Sequence, residues 1–234
     1  MSTKSAEEVL EDYKISMGDD LGTLMYFFWN ELNTMWIILS DFKTLYSSKK
    51  SYVDLLNKSA PRFFWEYQKM WWQYMTIGIL RLTEQNKRKK KERASMGHLV
   101  ELITDNELKE QCKKEYEELV EVTKDLKIAR HNLYAHYNYN AKIISPATTV
   151  EDVSIKAIKQ ALLQLGKIFN LVLDKYQNAT VPWEMVDDDL GANQILCSLA
   201  MGETFEPLHY KYQLRKPISD DDFDWRKWLE EKPD

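Results

Sequence analysis

Residues 21–42 read LGTLMYFFWNELNTMWIILSDF, the most apolar stretch of the chain. Its length is that of a membrane span, about 20 residues. Asn30, Glu31 and Asn33 stand in its middle, where a bilayer offers them no partner. Leu24, Phe27, Phe28, Leu32, Met35, Trp36 and Leu39 recur at helical spacing, the stripe that a helix turns toward a protein core. The stretch therefore reads as part of a long core helix over 20–46, closed by SSKKS, and no membrane segment is expected.

The rest of the chain follows the same period. Ser5 and Glu8 form a capping box that opens a short first helix. Pro61 is placed to open a second long helix running to Leu82, with Phe64, Tyr67, Trp71 and Met75 three or four residues apart. Ser95 is a candidate cap for a segment that breaks near TDNE. A helix of about 106–139 follows, through Leu108, Cys112, Tyr116, Leu119, Val122 and Leu126. Thr148 and Glu151 make a further capping box, with Ile155, Ile158, Leu162, Leu165, Phe169 and Val172 marking a helix to about Tyr176. Residues 189–201 read as one more short helix, and LHYKYQL (208–214) alternates as a short strand would.

With only 7 glycines and 6 prolines in 234 residues, chain-breakers are few. The expected fold is all-α: an antiparallel bundle of four to five long helices plus short accessory helices. Residues 1–183 form the expected body and 184–234 an acidic extension packed on or near it. The extension carries 13 acids against 6 bases, whereas residues 1–183 carry 24 against 26, so a mildly basic body precedes an acidic tail. Cys112 and Cys197 form no CxxC pair, and the N-terminal MSTKSAEEVLEDY is no signal peptide, so a reduced, cytoplasmic protein is expected.

Chemistry concentrates at LKIARHNLYAHYNYN, residues 126–140. Arg130 lies four residues beyond Leu126, on the same helix face, and His136 lies about 120° around the helix from Arg130. A guanidinium grips phosphate with parallel hydrogen bonds, and an imidazole gives or takes a proton near neutrality. Together they suit RNA cleavage without a metal or other cofactor, the arginine stabilising charge on phosphorus and the histidine moving the proton. Cleavage needs both an acid and a base, so either a two-fold dimer supplies a second His136 or His131 serves in the same chain. A polar turn that merely complements the helix dipole would use the same residue types. A second arginine and histidine, Arg93 and His98 in RASMGH, follow the lysine run in a glycine-containing loop without a tyrosine cluster. His131 and His136 are five apart, which does not stack two metal ligands, and no HExxH, GxxxxGK[ST], GxGxxG or GxSxG occurs. No metal site is expected.

RHNLYAH resembles the signature of the HEPN superfamily, an arginine, a polar neighbour, and a histidine after a gap of four to six residues. Arg130, His131 and His136, with five residues between the first and last, match it. The AH ending, the amphipathic helix before it and the helix opened by TTVED look most like the abortive-infection, AbiU2-like branch. The resemblance spans about residues 20–178 and is specific at the motif. It implies an all-α bundle that dimerises to bring two motifs to one cleft, and a metal-independent endoribonuclease acting as a toxin or phage-defence effector. Carried over, Arg130 and His136 would be catalytic and His131 would orient them. Some HEPN domains only bind a nucleotide or a protein partner, so a non-catalytic module is the competing reading. Relatives paired with a nucleotidyltransferase antitoxin often carry a modified tyrosine two residues past the histidine. Here that position is Asn138, between Tyr137 and Tyr139, which puts that form of control in doubt.

Around the motif, Asn132 would help position the reacting groups, and Tyr134, Tyr137 and Tyr139 would stack on unpaired bases. KRKKK (87–91), with Lys89 and Lys90 at its centre, would draw in an RNA backbone. FFWEYQKMWWQYM (63–75) is aromatic almost all round, which suits a helix buried on more than one side or a dimer interface.

Overall fold

The computed structural model describes residues 4–85, 93–131, 154–186 and 191–213, with side chains in the last segment as far as Phe205. Every regular element among them is helical: α1 (Ala6–Met17), α2 (Asp19–Tyr46), α3 (Lys50–Ser59), α4 (Pro61–Thr83), α5 (Met96–Leu102), α6 (Asn106–Val122), α7 (Lys124–Ala129), α8 (Ile155–Gln177), a 3-10 turn at Trp183–Met185, and α9 (Ala192–Gln213). The fold is all-α, with α2, α4, α6, α8 and α9 as the five long helices among the described residues. Among the described residues no helix is long and apolar enough to cross a membrane.

The chain divides into two compact units, one of residues 1–36 and 72–185, the other of residues 37–71 and 186–234. In the first, the Ser5 hydroxyl accepts from the Glu8 amide at 3.2 Å, and the Glu8 carboxylate accepts from the Ser5 amide at 2.6 Å, closing the expected capping box. Gly18 ends α1 at φ +85°. A Cβ on Gly22 would stand 2.6 Å from the Tyr13 carbonyl, so the absence of a side chain there lets α1 and α2 meet backbone to backbone.

α6 packs along α8, with α5 against α6 and α1 against α8. The seam is made by Leu108, Cys112 and Leu119 of α6 and by Ile158, Leu162, Leu165, Phe169 and Val172 of α8, all buried. Burial, and then the neighbouring Glu115, push the Cys112 thiol up to about 12, so it is a small apolar group rather than a nucleophile. One polar knot crosses the seam: Glu115 accepts from Gln164 Nε2 at 2.7 Å and pairs with Lys167 at 2.6 Å. Burial alone would raise the Glu115 carboxyl, but these two bonds outweigh it and hold the group below the usual carboxylate range. Beyond α8 the chain folds back. Trp183 fills the space over Gly166, and Asn170 exchanges two hydrogen bonds with the Val181 backbone at 2.9 and 3.0 Å.

In the second unit, Trp71 stacks on Phe42 with ring centroids 3.7 Å apart and donates to the Ile38 carbonyl at 3.0 Å. Leu45, Leu55, Leu56 and Phe64 bury against Ala192, Leu196 and Ala200 of α9. The Asp41 carboxylate accepts from the Ala192 amide at 2.8 Å, at the start of that helix. On α4 the apolar side chains of Phe63, Trp65 and Met70 stay exposed.

Three expectations are corrected. LHYKYQL is no strand: α9 continues to Gln213, because a lone strand leaves its backbone groups unpaired while a helix satisfies its own. The helix expected over 106–139 breaks at Thr123, whose hydroxyl turns back to the Leu119 carbonyl at 2.8 Å. His98 lies in the first turn of α5, capped by Ser95 as expected, and not in a loop. α3 was not anticipated at all. α8 is capped by Ser154, while Thr148 and Glu151 lie outside the described residues.

Candidate functional site

The break at Thr123 starts α7 afresh. Leu126 and Ala129 are buried and anchor one face of this short helix, while Arg130 and His131 continue it in a wider, π-type turn. Arg130 is reached on the inward side, four residues past Leu126, as the helical period requires. Its side chain is 35% exposed, and His131 is exposed.

Arg130 lines a cavity of about 240 Å³ together with Lys127, Tyr116 and Val120 of the α6–α7 arm and Leu80, Thr83 and Glu84 at the end of α4. The walls are tied together. The Tyr116 hydroxyl donates to the Thr83 carbonyl at 2.9 Å, and the buried Thr83 hydroxyl donates to the Ile79 carbonyl at 2.8 Å. Burial, and then Glu101, raise the Tyr116 phenol above its ordinary value, so it stays a neutral donor at neutral pH.

Charge is in surplus here. Burial first, and then the charges of Arg130 and Lys124, hold the Lys127 ammonium below its ordinary value. Glu84, the one carboxylate lining the cavity among the described residues, meets two guanidiniums: its Oε1 lies 3.5 Å from Arg130 Nη1, and its Oε2 is in contact with Arg93 Nη1. Among the described residues that line the cavity, Lys127 and Arg130 stand beside the single carboxylate of Glu84, an arrangement that suits an anionic ligand.

Of the residues singled out from the sequence, Arg130 and His131 are described. Asn132, Tyr134, His136, Tyr137, Tyr139, Lys89 and Lys90 lie outside the described residues. The structure adds Glu84, Tyr116 and Lys127. Lys127 was within reach of the sequence, being three residues before Arg130 on the same face. Glu84 was not, since it lies 46 residues away and only the approach of α6 and α7 to the end of α4 brings it near.

The second arginine and histidine also meet. The His98 Nδ1–H donates to the Arg93 carbonyl at 3.0 Å. Both residues line a separate cavity of about 640 Å³ with Lys14, Asp19, Asp20 and Phe27. Among the described residues, no three His, Cys, Asp or Glu side chains gather as a metal site would require.

The model of one HEPN family, AbiU2, matches residues 18–195, and the chain belongs to that abortive-infection branch of the superfamily. No curated protein and no solved structure matches it.

Proposed function

We propose that the protein is a cytoplasmic, metal-independent endoribonuclease of HEPN type, working as a toxin or phage-defence effector. The observation that carries this reading is Arg130, half-buried beside Lys127 in a cation-rich cavity of a chain of this family. Arg130 binds the scissile phosphate and stabilises the charge that builds on phosphorus. A histidine acting as base takes the 2′-hydroxyl proton, and the 2′-oxygen attacks phosphorus. The 5′-oxygen leaves and takes a proton from the acid. The products are a 2′,3′-cyclic phosphate and a 5′-hydroxyl. His136 is the proton-transfer group, and His131 with Asn132 positions it.

The second proton-transfer group comes from a homodimer. Support lies in the exposed Phe63, Trp65 and Met70 of α4, since exposed aromatic and Met side chains are enriched in interface cores. Lys89 and Lys90 steer the RNA backbone, and Tyr134, Tyr137 and Tyr139 hold bases. An antitoxin would restrain the activity in the cell.

The test is incubation of the full chain with single-stranded RNA in EDTA. Cleavage that leaves cyclic phosphate ends and disappears in His136→Ala is expected. RNA or nucleotide binding without any cleavage, weakened by Arg130→Ala, would replace this reading with that of a binding module.

A further inference from the structure

The cation cluster holds one carboxylate, and its surroundings fix where that carboxylate stands. Glu84 follows the last residue of α4, where its amide makes a turn bond to the Arg81 carbonyl at 3.4 Å. Two neighbouring elements pin the backbone on either side. Tyr116 of α6 bonds the Thr83 carbonyl at 2.9 Å. From α5, Gly97 comes so close that a Cβ there would lie 3.0 Å from the Glu84 carbonyl oxygen and 3.2 Å from Gln85 Cα. The Glu84 side chain, 26% exposed, emerges from this fixed point and offers one oxygen to each guanidinium.

We propose that Glu84 is the positioning residue of Arg130, with Arg93 as the brace that aims it. This rests on the cleavage reading above and extends it to a residue outside the motif. Three features support the role. First, Glu84 turns one oxygen to each guanidinium, and its separation from Arg130 Nη1 is 3.5 Å. A single long contact steers Arg130 while its guanidinium keeps donor capacity for a phosphate. Second, an ion pair this open to solvent adds little stability, so its value lies in orientation. Third, one carboxylate is divided between two guanidiniums, so it does not by itself cancel the charge of both. Steering without neutralising is what a phosphate-binding arginine needs before substrate arrives.

This gives a signature that distinguishes it from a structural role. Removing the charge of Glu84 makes the cavity more positive, so RNA should bind at least as well. Arg130 loses its aim, so turnover should fall. For Glu84→Gln in the full chain, cleavage of an oligoribonucleotide in EDTA is expected to show kcat lower by about tenfold or more, with KM unchanged or reduced. The melting temperature should shift by no more than about 2 °C. Unchanged kcat, or a fall in kcat matched by a comparable loss of melting temperature, overturns the proposal. A second readout needs no activity: the Arg130 guanidinium NMR signals, assigned by their loss in Arg130→Lys. Slowed guanidinium rotation in the wild type that becomes free in Glu84→Gln supports the assignment, and identical signals in both overturn it. A wild type that cuts no RNA sinks the cleavage reading, and the NMR result then decides by itself whether Glu84 holds Arg130.

Discussion

The two sides of α6 are built on opposite rules. Toward α8 it presents Leu108, Cys112 and Leu119, and the half-buried polar group there, Glu115, has its hydrogen-bond partners. Toward the end of α4 it presents Tyr116 and Val120 to a cavity lined, among the described residues, by Lys127, Arg130 and one acid, Glu84, which Arg93 also contacts. The first side satisfies its charges and gains stability from them. The second leaves charge over, which a bundle selected for packing alone has no use for. Substitutions on the two sides should therefore fail differently, the first in stability and the second in turnover.

The largest stability effect is expected on the packed side. Phe169 is fully buried against Trp183, with ring centroids 5.3 Å apart. Phe169→Ala should cost about 3–5 kcal/mol in urea unfolding. Whatever fraction stays folded should cleave RNA normally, and a loss of less than about 1 kcal/mol would mean that α8 is not the packed side described.

Next comes Glu115. Its carboxyl pKa is depressed in the folded chain, because the bonds from Lys167 and Gln164 outweigh burial. Its contribution is therefore complete above the unfolded value of about 4.3 and is lost as pH falls through the lower folded value. Glu115→Gln should cost about 1 kcal/mol at pH 7, and the difference from wild type should close on acidification. A gap that stayed constant down to pH 2 would assign the loss to packing.

The smallest effect belongs to the charged side. The Lys127 pKa is depressed, by burial first and by Arg130 second, so the folded chain gives up that proton before the unfolded chain does. Stability should thus rise slightly as pH climbs toward about 10, and Lys127→Gln should abolish the rise. Discounted for exposure, this amounts to a few tenths of a kcal/mol. The same variant should weaken RNA binding, and unchanged binding would take Lys127 out of the site.

Much of the packed side was legible from sequence. Periodicity marked α2, α4 and α8, and side-chain caps marked where α1 and α5 begin, because burial of a helical stripe and a capped terminus leave local traces. α3 was missed although it is amphipathic: its stripe is short, with only Leu55 and Leu56 of its ten residues buried, and Lys49 makes no side-chain cap bond to mark its start. That stripe packs on α9. The break at Thr123 was hidden because the apolar stripe runs through it, from Leu119 to Leu126. The alternation of residues 208–214 suggested a strand for which no partner exists among the described residues. In the site, Arg130 was readable from its spacing in the motif. Glu84 was not, since a glutamate at a helix end has no local feature that foretells which distant arginines will meet it.

The most direct test of that division is Arg130→Ala, assayed for RNA cleavage in EDTA and for thermal stability on the same preparation. The expected result is a fall in kcat/KM of about 10²-fold or more, with a melting temperature within about 2 °C of wild type. Full cleavage in the variant, or a loss of activity that merely follows a loss of folded protein, would contradict the assignment of this cavity as the place where RNA is cut.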